Sequence, residues 1–574
     1  MKVLIEQLFL TTDRLSKSRR IFWLTLSLTF SVLYSLPLLQ KAFSSEYVVA
    51  TDARQYIFWM QRFNDPELFP NDLIADFFQS VTPAGFTTLY YALNHLGIEP
   101  LLLSKLLPPI LGVVSTLYCF GICMQIFPVP FAGFLSTLLL NQTLWMDARI
   151  VDGVPRNFVY PFFLAFLYYF LQRSPLLAAG AIVLLGLFYP QYVFIAAGIL
   201  ILQLFSWNNW RIHRSANRQD YWGCAIGLLA AFCVLLPYAL SASEYGPTIS
   251  LATAKTFPEF SEMGRNRFFV NNFWEYWFFG ERSGLISALM PLCLSGIFLP
   301  WVLQNKARFP MAGKVTEKVQ MLPRLLIASL FMFLAAHAML FTLYLPSRYT
   351  QHTSLILLSL AGAIALTIWG QAIFAGNFQP KAYRKQRRLA IALALVLLMY
   401  PVLLNLFGGE FPKNHYKVAR VPSLHQFFQQ QPKDILIASL DDEVNKIPTF
   451  AQRSIFLGRK YSVPYQIGYY EQIRERAIAL IHAQYTPNLK ELQSFIETYN
   501  IDFWLLKPAD FLPDYLETKD WQWIAQYEPA ATTAKTILES GEVPALAQMI
   551  EPCSVFNADK WNILETACIL QMNL

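Results

Sequence analysis

The chain has 574 residues, of which 55% are hydrophobic and only 14% charged, with 47 Phe, 28 Tyr and 14 Trp. These proportions exclude an ordinary soluble domain and fit a protein that crosses a membrane many times, with aromatic belts at the interfaces. The formal charge of +7 carries no nucleic-acid signal, because the basic residues sit in short loops between apolar runs.

Arg14, Lys17, Arg19 and Arg20 precede the apolar run Ile21–Leu39. No small-residue cleavage pattern closes that run, since Ala42-Phe43-Ser44 is a poor one, so it reads as an uncleaved first helix. Candidate spans follow at about 102–126, 129–146, 157–171, 175–190, 191–206, 222–241, 284–303, 324–345, 350–375 and 389–407. Each has roughly the length that crosses a hydrocarbon core. The expectation is an α-helical polytopic membrane domain of about 11 spans over residues 1–407. Lys and Arg in short loops set its orientation. The N-terminal basic group, Arg173, then Arg211, Arg214 and Arg218, then Lys306 to Lys318, and finally Lys381 to Arg388 all fall on one side. That side is read as the cytoplasm, in an integral plasma (inner) membrane. The long loop 41–101, the loops 147–156, 242–283 and 346–349, and the tail 408–574 then lie outside.

The first outer loop holds the stretch Thr51–Gln79, with Asp52, Arg54, Arg62, Asp65, Glu67, Asp72 and Asp76 set among rings and aliphatics. It is too charged to span and too apolar for a plain linker. It predicts one or two short helices along the membrane surface, with Tyr56, Phe58, Trp59, Phe63 and Phe69 facing lipid or protein. Asp52 sits near the membrane end with Arg54 two residues on, where an acid meets a substrate with a wet head and a lipid tail. The competing reading is a charged loop whose ends snorkel.

In the loop 147–156, Asp147 and Asp152 alternate with Arg149 and Arg156. Carboxylates there suit a divalent cation, and arginines suit a phosphate; the same four charges also suit a short turn that pairs with itself. The segment 242–283 carries the aromatic run Phe268–Phe279, an interfacial or re-entrant helix or a lid. Arg348 and His352, four apart, share a helix face at the start of a late span. There an arginine holds a lipid-linked phosphate or merely snorkels.

The tail 408–574 reads as a small α/β layer. Strands are predicted at Asp434–Leu440, Arg453–Leu457 and Ile501–Leu506, and helices at Gly468–Tyr485 and Asn488–Tyr499. Its stretches Pro448–Arg453 and Tyr465–Tyr470 suit either a sugar-binding edge or plain packing. Cys119, Cys123, Cys224, Cys233 and Cys293 lie in apolar segments as small hydrophobes. No Cys/His spacing suits zinc. Cys553 and Cys568 pair if the tail faces an oxidising compartment.

The layout resembles the GT-C superfamily of integral-membrane glycosyltransferases, and within it the bacterial transferases of the dolichyl-phosphate-mannose-dependent type. The resemblance covers most of the membrane part. Its specific points are Asp52 near the start of the long first loop, the acidic and basic second loop, and the Arg348-Tyr349 start of a late helix. Many relatives carry two adjacent acids in the first loop, whereas here Asp52 is followed by Ala53. The resemblance implies a membrane glycosyltransferase that takes sugar from a polyprenyl-phosphate donor. It implies inverting direct displacement onto an outer glycan, lipid or protein acceptor of the cell envelope. It makes Asp52 the catalytic acid and Arg54, Arg149, Arg156, Arg348, Tyr349 and His352 substrate ligands. Asp147 and Asp152 are the candidate ligands of a divalent cation. Two rivals remain: a polytopic transporter or flippase, and a non-catalytic envelope-assembly protein.

Overall fold

The computed structural model describes residues 8–11, 17–208, 211–240, 243–286, 290–375 and 380–572. Arg14 and part of the predicted span 284–303 lie outside the described residues.

Helix α1 (Lys17–Ala42) leads into the short strand β1 (Val48–Ala50). The first loop then folds into turns at Ala53–Tyr56 and Phe58–Phe63 and two helices, α2 (Leu73–Val81) and α3 (Ala84–His95). Asp72 caps α2, its Oδ1 accepting from the amides of Ile74 at 2.8 Å and Ala75 at 3.0 Å, which assigns that acid to structure. The predicted surface aromatics face protein: Phe58, Trp59 and Phe69 are buried, and Phe58 meets Tyr461 of the tail edge-on at 5.4 Å.

The membrane part continues with α4 (Pro100–Ile126), α5 (Pro130–Met146), α6 (Val159–Leu171), α7 (Pro175–Phe188), α8 (Gln191–Gln203) and α9 (Arg218–Leu240). It ends with α10 (Met321–Ala338), α11 (Gln351–Phe374) and α12 (Pro380–Leu406). Pro at the first turn of α4, α5 and α7 suits a position where the missing N–H costs nothing. Helices therefore stand near every predicted span, but among the described residues only six are long and apolar enough to cross a membrane by themselves. The 13 residues of α6 and of α8 rise only about 20 Å at 1.5 Å per residue, short of a core of about 30 Å. The apolar runs are longer than the helices because turns such as Tyr189-Pro190 interrupt them. The predicted span near 284–303 is, from Pro291, a 3₁₀ stretch to Phe298 and a short helix Leu299–Gln304. It crosses α11 so closely that a Cβ on Gly296 would lie 2.8 Å from the Gly362 nitrogen, a small-residue crossing. Inside the bundle the buried Asn141 donates to Thr116 at 2.8 Å, and Gln142 to the Leu397 carbonyl at 2.7 Å.

The tail opens with β2 (Tyr416–Val418) and α13 (Pro422–Gln429). Its five-stranded sheet is built from β3 (Leu436–Ala438), β4 (Ser454–Ile455), β5 (Phe503–Leu506), β6 (Ser554–Ala558) and β7 (Trp561–Glu565) in the order β4-β3-β5-β7-β6. The first three are parallel, and β7 runs antiparallel to both neighbours. Helices α14 (Ile467–Tyr485) and α15 (Leu489–Tyr499) lie where the periodicity predicts, α15 closing on Asn500 in the left-handed region at φ 51°. Cys553 and Cys568 form a disulfide.

The outer loops and the tail are joined through their backbones. β1 pairs antiparallel with β2, Ala50 opposite Tyr416. Thr248 bridges Gln466, with the Ile249 amide on the Tyr465 carbonyl at 2.9 Å. Phe77 of α2 stacks on Tyr469 of α14 at 3.6 Å. A satellite core of Ile249, Phe260, Phe268, Phe341 and Leu345 buries one end of the predicted aromatic helix. That helix itself is a single π turn, Glu275–Phe279, whose neighbours Phe273 and Trp274 stay exposed.

Candidate active site

Asp52 follows directly from the β1–β2 pairing. The Thr51 amide donates to the His415 carbonyl at 3.0 Å, so the chain leaves the ladder at Asp52 and turns into Ala53–Tyr56. Asp52 occupies the N-cap of that turn, yet its side chain makes no capping bond. The carboxylate is free to face the seam between the loops and the tail, and two cations meet it there. Lys460 Nζ donates to Oδ1 at 2.7 Å, and Arg156 Nη1 lies 2.8 Å from Oδ2.

Arg156 is shared. Its Nη2 reaches Asp152 Oδ2 at 2.5 Å, so one guanidinium spans the acids of the loops 41–101 and 147–156. The second loop can hold Asp152 there because Gly153, at φ +65°, lies flat on α4. A Cβ at that glycine would stand 2.6 Å from the Ser104 carbonyl oxygen. Tyr90 fixes the Gly153 carbonyl at 2.8 Å, and Asn157 ties the loop to itself through the Val154 amide and the Arg149 carbonyl. The Asp152 side chain is 1% exposed, and its Oδ1 has no hydrogen-bond partner among the described residues.

Electrostatics separate the two acids. Burial pushes the Asp52 carboxyl up, but the charges of Arg156 and Lys460 reverse this and hold it well below the usual carboxylate range. At Asp152 burial dominates, Arg156 offsets part of it, and the Asp52 charge adds to it, leaving the carboxyl raised to about 6.

A second chain of contacts lies alongside. Arg149 pairs with Asp147 at 2.5 Å, and its Nη1 donates to Gln351 Oε1 at 2.8 Å. Arg348 donates to the same oxygen at 3.1 Å, and the Gln351 amide nitrogen reaches the Glu281 carbonyl at 2.7 Å. Arg348 makes no direct contact with Asp52, but its charge is among those Asp52 feels. Neither Arg348 nor Arg54 has a carboxylate partner among the described residues. Arg54 is 4% exposed, with Nε and Nη1 unpartnered. Tyr349 and His352 stand apart. The Tyr349 hydroxyl donates to the Leu343 carbonyl at 2.9 Å, and His352 Nδ1 meets the Tyr160 hydroxyl at 2.7 Å. Both are fully buried in helix packing.

The acids do not make a cation cage as they stand. A hard divalent cation takes about six oxygens. Here both Asp52 oxygens and one Asp152 oxygen receive N–H groups, and Asp147 is held by Arg149. Of the Asp52 and Asp152 oxygens only Asp152 Oδ1 is left among the described residues, and a proton satisfies it as well as a metal does. Among the described residues no group of three His, Cys, Asp or Glu could hold a metal ion.

Sequence reasoning singles out Asp52, Asp152 and Arg156 but passes over Lys460, which lies 408 residues from Asp52. Its one local signal is the Arg459-Lys460 pair in an otherwise apolar turn. Of the two tail stretches read as a sugar edge or plain packing, Pro448–Arg453 makes packing contacts here. The Pro448 and Thr449 carbonyls lie 3.4 and 3.3 Å from the Gln61 amide, and Arg453 caps the carbonyls of Gln429 and Gln431.

No family model matches the sequence, and no curated protein matches it. Solved structures do. The apo oligosaccharyltransferase of Archaeoglobus fulgidus superposes with a TM-score of 0.56 at 11% identity, over 89% of this chain and 72% of that one. The archaeal oligosaccharyltransferase AglB from the same organism, in complex with an inhibitory peptide and a dolichol-phosphate, gives 0.54 at 12% identity over the same shares. The arabinofuranosyltransferase AftD from Mycobacteria gives 0.47 at 12% identity, over 87% of this chain and 36% of that one, a likeness too low to add to the assignment. The chain thus shares the overall fold of these archaeal oligosaccharyltransferase structures, and its six long apolar helices among the described residues fit a multi-pass membrane protein.

Proposed function

We propose that this GT-C-fold chain is a membrane glycosyltransferase that moves a sugar from a polyprenyl-phosphate donor to an extracytoplasmic acceptor. The observation that carries this reading is the charge balance at the seam. The half-buried Asp52 and the buried Asp152 meet Arg156 and Lys460, and Arg348 adds its charge at Asp52; Arg348 and the nearby buried Arg54 have no acid of their own among the described residues. A surplus of desolvated positive charge beside a membrane domain calls for an anion with a lipid tail. The archaeal neighbour solved with a dolichol-phosphate supports the same donor class.

The reaction follows from the groups present. The donor phosphate occupies the unneutralised cations. The acceptor hydroxyl oxygen bonds to the anomeric carbon as the bond from that carbon to the phosphate oxygen breaks, and the pair of electrons leaves with the phosphate. The hydroxyl proton passes to a carboxylate, and the cations stabilise the departing charge. A single displacement inverts the anomeric centre. Asp52 is the proposed base, becoming available as the phosphate draws its cations away. A second assignment, Asp152, is favoured by its unpartnered oxygen and its carboxyl raised to about 6. Placement in the plasma (inner) membrane, with a cytoplasmic N-terminus and the tail outside, accords with the basic loops and with the Cys553–Cys568 disulfide.

The test is purification into lipid nanodiscs and incubation with a panel of polyprenyl-phosphate sugars and cell-envelope acceptors. Release of free polyprenyl phosphate with matching glycosylated product is expected. Vectorial movement of the intact lipid without product would favour the transporter reading.

A further inference from the structure

We infer that Lys460, carried by the C-terminal domain, completes the Asp52 site in place of a divalent metal and moves from the carboxylate to the donor phosphate when the lipid binds. This rests on the lipid-phosphate reading and adds to it the residue that the tail contributes.

The observation is how firmly the turn bearing Lys460 is held. Its own amide donates to Asn445 Oδ1 at 2.7 Å. Its carbonyl accepts from Gln55 of the first loop at 2.7 Å and from Arg265 of the loop 242–283 at 2.6 Å. Arg265 also grips the Ser462 carbonyl. The neighbouring Tyr461 is buried, with its hydroxyl on the Asn445 carbonyl at 3.1 Å and its ring against Phe58. Three separate parts of the chain therefore fix one backbone turn, and the only group that turn sends to Asp52 is an ammonium. Incidental surface ion pairs are not held in this way. Three of the four carboxylate oxygens of Asp52 and Asp152 already receive N–H donors, and among the described residues no group of three His, Cys, Asp or Glu could hold a metal ion. A lysine suits this position in chemistry, being a compact charge on a flexible stem that can exchange one anionic oxygen for another. The Lys460 side chain is 16% exposed, buried enough to act at full strength and open enough to meet a ligand.

The experiment is titration of the full-length protein in nanodiscs with farnesyl phosphate by calorimetry, with EDTA throughout. Wild type is expected to bind. Lys460→Met is expected to weaken binding about tenfold or more, the worth of one charge-assisted hydrogen bond, and Lys460→Arg to stay within roughly threefold of wild type. Unchanged binding by Lys460→Met would overturn the inference while leaving the donor reading intact. So would wild-type binding that vanishes with EDTA and returns with Mn²⁺. Wild-type protein that binds no farnesyl phosphate, with or without Mn²⁺, would overturn both. If Lys460→Met does not yield monodisperse protein, Gln55→Ala decides. It keeps the lysine and frees the turn, and is expected to weaken binding by roughly threefold; no change would overturn the inference.

Discussion

At Asp52 both carboxylate oxygens are held by cations, whereas Asp152 shares the same guanidinium and keeps one oxygen without a partner. The two acids therefore differ as bases, and pH separates them. In the free protein Arg156 and Lys460 hold Asp52 ionised, so kcat/KM for a reaction that uses it shows no acid limb above about pH 4. Asp152, raised to about 6 by burial, gives a rate that rises through pH 6 and levels above it. The rate profile of the purified enzyme decides between them. The matching substitutions make the same choice: Asn at the true base is expected to lower turnover about 10²–10⁴-fold with membrane insertion intact. Asn at the other acid is expected to act mainly by releasing Arg156 from one of its two carboxylates, seen as tighter donor binding with turnover changed far less.

At the scale of elements, the second loop and the tail each contain a device that can be broken singly. Gly153→Ala places a Cβ 2.6 Å from the Ser104 carbonyl oxygen in a left-handed conformation. It is expected to cost about 1–3 kcal/mol and to displace Asp152, read as a lower melting temperature together with loss of the rise in rate near pH 6. In the tail, Glu443 is fully buried and bound by Lys446 at 2.7 Å and by the Arg420 amide at 3.1 Å. Burial pushes its carboxyl up, but His425 and Lys446 outweigh that and lower it from 4.5 to about 2. A lowered acid stabilises the fold above its unfolded value and loses that contribution as pH falls through its folded value. Wild type is thus expected to lose stability between about pH 4.5 and 2 more steeply than Glu443→Gln. At neutral pH that variant should be about 3–5 kcal/mol less stable, since Lys446 is left buried and unpaired. Chemical denaturation across that pH range measures both. Cys553→Ser, which opens a link between residues 15 apart, is expected to cost about 3 kcal/mol, and reductant should reproduce the loss in wild type only.

For the whole molecule, the seam between the helical part and the tail is where the proposed site lies. It is closed by the β1–β2 pairing, the Thr248–Gln466 bridge, the Phe77–Tyr469 stack and the Lys433 pairs with Asp65 at 2.7 Å and Glu67 at 2.8 Å. All these contacts join loops from one face of the bundle to the tail, so that face and the tail must share a compartment. With basic loops on the opposite face, a C-terminal alkaline phosphatase fusion is expected to be active and a cytoplasmic reporter there silent. The reverse result would invert the topology and detach the site from an extracytoplasmic lipid donor.

The membrane class, the helix positions, the tail's α/β character and the acids Asp52 and Asp152 with Arg156 were all legible in the sequence. The reason is physical. In a chain so apolar, charge is rare and costly, so charged loops stand out, and periodicities of 3.6 and 2 mark α14, α15 and β5 locally. Helix lengths were less legible, because an apolar run does not record where Pro190 or a 3₁₀ turn ends a helix. Which charges meet is set by the three-dimensional packing. Arg156 could have faced Asp147, Asp152 or solvent, and its bridge from Asp52 to Asp152 depends on how Gly153 lies against Ser104. Lys460 reaches Asp52 across 408 residues only because the tail folds back and pairs β2 with β1. Tyr349 and His352 share a helix start with Arg348, yet their ring burial turns them inward. Side-chain direction at a helix end is set by what packs beside it, and that information lies in the partners and not in the segment itself.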